Sequence, residues 1–148
     1  MTETERLLTL MHNAKLLYRQ AFEPLMARYD VNQLETDVVL FLHNNPDFDT
    51  AQSICDLRGL RKSNVSCAVE KLCARGWLAR VRDEKNRRVV HLSLQEKASP
   101  FVAEAARVQR HVFARLGDGL TPEEKKLAES LMQKLTERAA LLLNTQEE

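Results

Sequence analysis

Apolar residues recur at spacings of three and four along the first part of the chain, and this rhythm predicts a long amphipathic helix. Thr2 and Glu5 form a capping-box pair at its start, a hydroxyl and a carboxylate that satisfy orphan N–H groups. Its stripe is Leu7, Met11, Ala14, Tyr18, Ala21 and Leu25, widened by Leu10 and Leu17. Pro24 cannot bond the carbonyl of Gln20, so a kink or break is expected there. A second helix is expected after Asn32, with Glu35 in its first turn and Leu34, Val38, Phe41 and Leu42 buried. Asn44-Asn45-Pro46-Asp47 ends it as a turn. Asp49 or Thr50 caps a short third helix with Ala51, Ile54 and Cys55 facing inward, and Gly59 breaks it in the left-handed conformation. Lys62 to Arg75 reads as a fourth helix, ended by Gly76. Val65, Val69 and Leu72 share one side of it, and Ser63, Ser66, Cys67, Glu70 and Lys71 the other.

The period then shortens to two. Trp77 to Arg82 and Arg88 to Leu94 flank a polar stretch from Asp83 to Arg87, which is a β-hairpin signal despite the lack of Gly at the tip. Val90, Leu92 and Leu94 fall on one face of the second run, and Val89, His91 and Ser93 on the other. A fifth helix starts at Ser93-x-x-Glu96 or at Ser99-Pro100, is carried by Phe101, Ala105, Val108, Val112 and Leu116, and ends at Gly117 and Gly119. Thr121-Pro122-Glu123-Glu124 opens a last helix, with Leu127, Leu131, Leu135, Ala139 and Leu142 along one side.

The chain has 148 residues, a length that suits one domain. With 44% apolar and 29% charged residues it is not a disordered composition, and no apolar run approaches the ~20 residues needed to cross a bilayer. The start of the chain lacks a basic n-region before an apolar stretch, so a secretory signal is not expected and a cytoplasmic, reducing setting is. Its three cysteines are neither an even set nor in Cys-x-x-Cys spacing, which indicates no disulfide framework and no structural zinc site. His12, His43, His91 and His111 are scattered over separate elements, with no pair at helical metal-binding spacing, so no metal and no cofactor is expected. No Gly-rich phosphate loop or nucleophile elbow is present, and an enzyme is not expected.

A net charge of +1 conceals a strong asymmetry. From Arg58 to Arg88 there are ten basic residues against three acidic ones, while the rest of the chain holds 12 basic and 18 acidic residues. A segment so basic suits a polyanion. It coincides with a short helix, a Gly-containing break, a second helix and a hairpin, the layout of a winged helix-turn-helix. In that layout the second helix enters a major groove about 12 Å wide and the hairpin reaches the minor groove or the phosphates. The groove-facing set is Ser63, Asn64, Ser66, Cys67 and Lys71, with Asn64 suited to an adenine edge. Arg61, Lys62 and Arg75 are phosphate anchors, which position without reading sequence, and Arg87 and Arg88 belong to the wing. Cys67 lies on the polar face within the basic segment, an environment that favours reactive thiols, and is a candidate redox switch.

The chain resembles the MarR-type winged-helix transcriptional regulators. The resemblance rests on Leu60-Arg61-Lys62-Ser63-Asn64-Val65-Ser66, on Leu72 and Gly76-Trp77-Leu78, and on Asp83, Asn86-Arg87-Arg88 and Leu92-Ser93-Leu94. It implies a mainly α fold with a small β-hairpin: a winged-helix DNA-binding part over residues 31–95, and a helical dimerisation part from residues 1–30 and 96–148, within one domain. Family members usually carry Asp-x-Arg in the wing; the Arg matches at Arg88, but Asn86 stands in the Asp position, so Asp83 is a candidate substitute partner for Arg88. Arg61 replaces a small capping residue, Cys67 replaces a common Arg, and Gln95 and Ala98 replace the usual Thr and Gly. The resemblance further implies a homodimer on a pseudo-palindromic operator, repression of transcription, and modulation by an oxidant or a small aromatic ligand. Tyr18, His12 or His111 are candidates to line such a ligand site. The rival reading is a protein-interaction module that keeps the scaffold without sequence-specific DNA binding; it has no use for a wing reading Asn86-Arg87-Arg88.

Overall fold

The computed structural model describes residues 1–145 and divides into two compact units, the first from Met1 to Val112 and the second from Phe113 onward. Helix α1 (Glu3–Tyr29) starts at the expected capping box: Thr2 accepts the Glu5 N–H, and the Glu5 carboxylate accepts the Thr2 N–H. Pro24 does not end it; the helix runs on to Tyr29. It stops at Asp30, whose φ of 52° is left-handed, a conformation that Asp tolerates better than most residues. The expected stripe is only partly inward. Leu25 is buried and Ala14, Tyr18 and Ala21 are half-buried, but Leu7, Leu10, Met11 and Leu17 are exposed. Phe22, outside the stripe, is fully buried, its ring tilted against that of Tyr18 with centres 4.7 Å apart.

Helix α2 (Gln33–Asn44) is capped by Asn32, which accepts the Glu35 N–H, and every residue from Val38 to Leu42 is buried. Burial on all sides makes it the central post of the first unit. Helix α3 (Ala51–Arg58) is capped by Thr50 and ends at Gly59, whose φ of 64° is the expected left-handed cap. Ile54 is buried and Cys55 half-buried, but Ala51, expected inward, is exposed: it sits in the first turn, before the helix reaches the core. Helix α4 (Lys62–Ala74) buries Val65, Ala68, Val69 and Leu72.

Strands β1 (Leu78–Arg82) and β2 (Val90–Leu94) pair antiparallel, in a register from Leu78 opposite Leu94 to Arg82 opposite Val90. A short 3-10 turn (Glu96–Ala98) precedes α5 (Ser99–Leu116), so the second of the two expected starts is the α-helical one. Phe101, Ala105 and Ala106 of α5 join the core that holds Phe22, Val38, Ile54, Leu72, Trp77 and Leu92. In the second unit, α6 (Pro122–Asn144) opens at Thr121 with the expected capping box, Thr121 accepting from Glu124 and Glu124 accepting from the Thr121 N–H. No residue of α6 is buried.

Candidate nucleic-acid interface

Helix α4 presents its polar face to solvent because Val65, Ala68, Val69 and Leu72 fix the opposite face in the core. Ser63, Asn64, Ser66, Cys67 and Lys71 are all exposed, and among the described residues none makes a side-chain hydrogen bond or ion pair. Arg61 is the N-cap residue, with extended backbone and no side-chain cap bond, so its guanidinium is left available. Lys62 follows it in the first turn and is exposed. The orphan N–H groups of the first turn of α4 therefore lack a capping side chain, a setting in which a phosphate oxygen is a good acceptor.

Arg75 stands apart from this set. Its guanidinium donates to the carbonyls of Asp30 at 2.7 Å and Tyr29 at 2.6 Å, and lies 4.2 Å from the centre of the Trp77 ring. These contacts cap the C-terminus of α1, where unsatisfied carbonyls attract a cation, and stack the planar group on an aromatic face. Arg75→Ala is expected to destabilise the fold by about 2 kcal/mol, lowering the melting temperature by roughly 4–8 °C in a thermal scan. An unchanged melting temperature would show that these bonds contribute nothing net.

The hairpin tip turns without Gly and without any left-handed residue; Asp30 is the lone non-Gly case of positive φ among the described residues. Side chains do the work instead. Asp83 Oδ2 accepts the N–H groups of Lys85 at 3.0 Å and Asn86 at 2.8 Å, and Asn86 Oδ1 accepts the Arg88 N–H at 3.2 Å. Such Asx turns reverse the chain by lending the backbone side-chain acceptors. Arg87 and Arg88 stand exposed at this tip. Arg88 has no acidic partner among the described residues, because the two oxygens of Asp83, the expected substitute, face the tip backbone and His91.

His91 and Asp49 were not among the sequence candidates. His91 Nδ1 lies 2.7 Å from Asp49 Oδ1, in the turn before α3, and Nε2 lies 2.9 Å from Asp83 Oδ1 at the base of the tip. The Asp49 hydrogen bond, followed by that of Asp83, raises the imidazole above the ordinary histidine pKa. The Asp83 carboxyl is held below its ordinary range, first by His91 and then by the Asn86 and Lys85 N–H groups. The period-two alternation did place His91 on the face away from Leu92, but two carboxylates so distant in sequence left no signal of convergence.

On the other side of α2, Tyr18 accepts from Gln109, which in turn accepts from Asn44. Asn44 and Gln109 border a cavity of about 270 Å³ also walled by Phe41, Leu57 and Arg58, whose lining does not include Tyr18. Burial raises the carboxyl of Asp37 near it, and Arg58 lies 4.0 Å from that carboxyl. Of the other ligand candidates, His12 and His111 are exposed. Among the described residues no cluster of His, Cys, Asp and Glu suits a metal ion, and no helix is long and apolar enough to cross a membrane.

Two helices joined at a Gly break, the second exposed along its polar face, followed by a hairpin with an arginine tip, define a winged helix-turn-helix. Residues 29–89 match the model of the MarR family, a span that runs from the end of α1 through the hairpin tip. The transcriptional repressor MprA of Escherichia coli (strain K12) is 29% identical over 101 residues, which cover 68% of this chain and 57% of MprA. The matched part thus spans a little over half of that relative's length. A MarR-family regulator from Silicibacter pomeroyi has the same fold, with a TM-score of 0.74 at 18% identity over 85% of this chain and 84% of its own. So does BpsR of Bordetella bronchiseptica, solved in a study of how 6-hydroxynicotinic acid regulates its DNA binding, with a TM-score of 0.68 at 19% identity over 88% of this chain and 98% of its own.

Proposed function

We propose that this chain is a DNA-binding transcriptional repressor that acts as a homodimer on a pseudo-palindromic operator. The observation that carries this reading is the unpartnered polar face of α4 beside an arginine-tipped hairpin, in the most basic segment of the chain. In it Ser63, Asn64, Ser66, Cys67 and Lys71 face the major groove, Arg61 and Lys62 take phosphates, and Arg87 and Arg88 form the wing contact. Arg75, already bonded to the end of α1, has at most its remaining N–H groups for a phosphate. The exposed leucines of α1 and α6 support a dimer, since a monomer gains nothing by leaving such stripes in water. The cavity beside Gln109 and Arg58 supports modulation by a small aromatic acid, the kind of ligand named for BpsR. Cys67, exposed and on the reading face, supports oxidation as an alternative signal.

Fluorescence anisotropy tests the reading, with duplexes enriched by the protein from a random pool and with the DNA upstream of its own gene, at two salt concentrations. Binding is expected to be sequence-selective and to fall steeply with salt. Arg88→Ala should weaken it by roughly tenfold and lower the salt slope by about one. Failure to enrich any sequence, with no salt-dependent binding, would favour the protein-interaction module instead.

A further inference from the structure

The imidazole of His91 bridges two acceptors at once, and this limits its protonation state. An ionised carboxylate oxygen only accepts hydrogen bonds, and a neutral imidazole has a single N–H. With Asp49 on Nδ1 and Asp83 on Nε2, the neutral ring must set one nitrogen lone pair against a carboxylate; the imidazolium satisfies both. The two carboxylates belong to different parts of the reading head. Asp49 lies in the turn that opens α3, and its carbonyl also accepts the Leu92 N–H of β2 at 2.7 Å. Asp83 shapes the tip that carries Arg87 and Arg88. The ring and the Leu92 N–H together therefore link the turn before α3 to the wing at two adjacent residues of β2, 91 and 92.

We propose that His91 is a positioning residue for DNA binding: an imidazolium clasp between Asp49 and Asp83 that fixes the wing against the helix-turn-helix, so that affinity for DNA falls as the ring loses its proton. The proposal rests on the DNA-binding reading above. Val81 stands opposite His91 on β1, and Val89 and Ser93 share its face of the second run. Asp49 and Asp83 are the charged groups that act on it; α2 and α3, which also pack on β2, add none among the described residues. Both acidic partners act in the same direction, and the side chain is 34% exposed, so solvent protons reach it. Loss of the proton releases one carboxylate from the clasp and leaves one more net negative charge near the phosphates, and both effects weaken binding.

The sign follows from linkage. Because folding raises the His91 pKa, the stabilisation is fully present below the ordinary value of 6.5 and is lost as pH rises through the folded-state value. Because folding lowers the Asp83 pKa, its share is present above the ordinary 3.8 and is lost as pH falls through the folded-state value. The clasp thus closes in mildly acidic solution and opens toward the alkaline side.

Anisotropy with the enriched duplex, from about pH 6 to about pH 9 at fixed ionic strength, tests this in the natural chain, His91→Gln and Asp49→Asn, alongside nitrogen NMR of the His91 ring without DNA. The natural chain should weaken roughly three- to tenfold across the range. His91→Gln should bind weakly throughout, with a flatter pH profile than the natural chain. Asp49→Asn should move the midpoint to lower pH, and the ring should carry protons on both nitrogens at about pH 6. Identical pH profiles for the natural chain and His91→Gln would overturn the proposal, as would a ring with one protonated nitrogen at about pH 6. If DNA binding is missing at every pH, the DNA-binding reading fails while the ring titration still decides the clasp. A midpoint above that of free histidine, lowered in Asp49→Asn, supports it; one at or below that of free histidine overturns it.

Discussion

A chain carrying Leu131→Glu and Leu135→Glu is expected to run as a monomer in analytical ultracentrifugation and to bind a two-half-site duplex at least about a hundredfold more weakly. The cause lies in α6. Leu127, Leu131, Leu135 and Leu142 recur at helical spacing and are each between 48% and 61% exposed, on a helix with no buried residue. A helix of 23 residues with a capping box at its start is well specified locally, but tertiary packing usually supplies most of a helix's stability, and this one has no buried face. Burying a leucine side chain contributes about 1.5–3 kcal/mol, so a stripe of four is a strong drive to associate. Leu7, Leu10, Met11 and Leu17 leave a comparable apolar run exposed on α1. Two-fold pairing would set two α4 helices on half-sites one turn apart, about 34–36 Å. The second head then binds within the same complex, and linkage of that kind raises affinity by about 10²–10⁴ with no new contact. Two glutamates put unpaired charges into the stripe without touching the core of the first unit, so circular dichroism should keep the α1–α5 signal. A dimer that survives both substitutions would show that the α6 stripe is not the contact surface.

Local signals were legible wherever one short-range cause decides the outcome. Thr2, Asn32, Thr50 and Thr121 cap helices where a hydroxyl or amide precedes a helical period, and Gly59 ends α3 because it tolerates φ of 64°. The exposed and buried sides of α4 also follow from periodicity alone, which places Ser63, Asn64, Ser66, Cys67 and Lys71 together on its exposed side. Elements governed by packing were read less well. The spacing in α1 picks out one stripe from Leu7 to Leu25, yet only its C-terminal half meets the core, and there Phe22 rather than the stripe is most buried. Helical spacing sets which face of α1 is apolar, while tertiary packing sets how far along that face a neighbour extends. Pro24 removes one hydrogen bond, but the helix continues past it to Tyr29, so it does not break there. At the hairpin tip, the missing Gly is offset by Asp83 and Asn86 side chains, a substitution visible once their acceptors are counted. Arg75 and His91 were the least legible. Each is defined by partners far away in sequence, the end of α1 for one and the turn before α3 for the other.

Phe101→Ala is expected to cost about 3–5 kcal/mol, a large share of the ~5–15 kcal/mol that holds a typical domain together. Phe101 is 1% exposed and sits where three parts of the first unit meet. Its ring lies 5.2 Å from Tyr29, the last residue of α1, and 4.8 Å from Trp77, which leads into β1. Tyr29 is tied again to α5 through a 2.6 Å hydrogen bond to Glu104, and Arg75 covers the other partner, Trp77. Truncation to Ala leaves a void among rigid rings that cannot collapse into it, the condition under which the cavity term is largest. The melting temperature should fall by roughly 6–20 °C. The chain has one Trp, so its emission reports on this cluster alone and should shift to the red before the helical signal is lost. Phe101→Leu, which keeps most of the volume, should fall between the natural chain and Phe101→Ala on both measures. Because Trp77 fixes the start of β1, loosening the cluster should also weaken DNA binding in the fraction that remains folded, and Arg88→Ala should then cost less than in the natural chain, since a wing held less firmly gains less from its arginine. Full additivity of Phe101→Ala and Arg88→Ala in a double-mutant cycle of DNA affinity would separate the cluster from the wing and leave Phe101 a matter of stability alone.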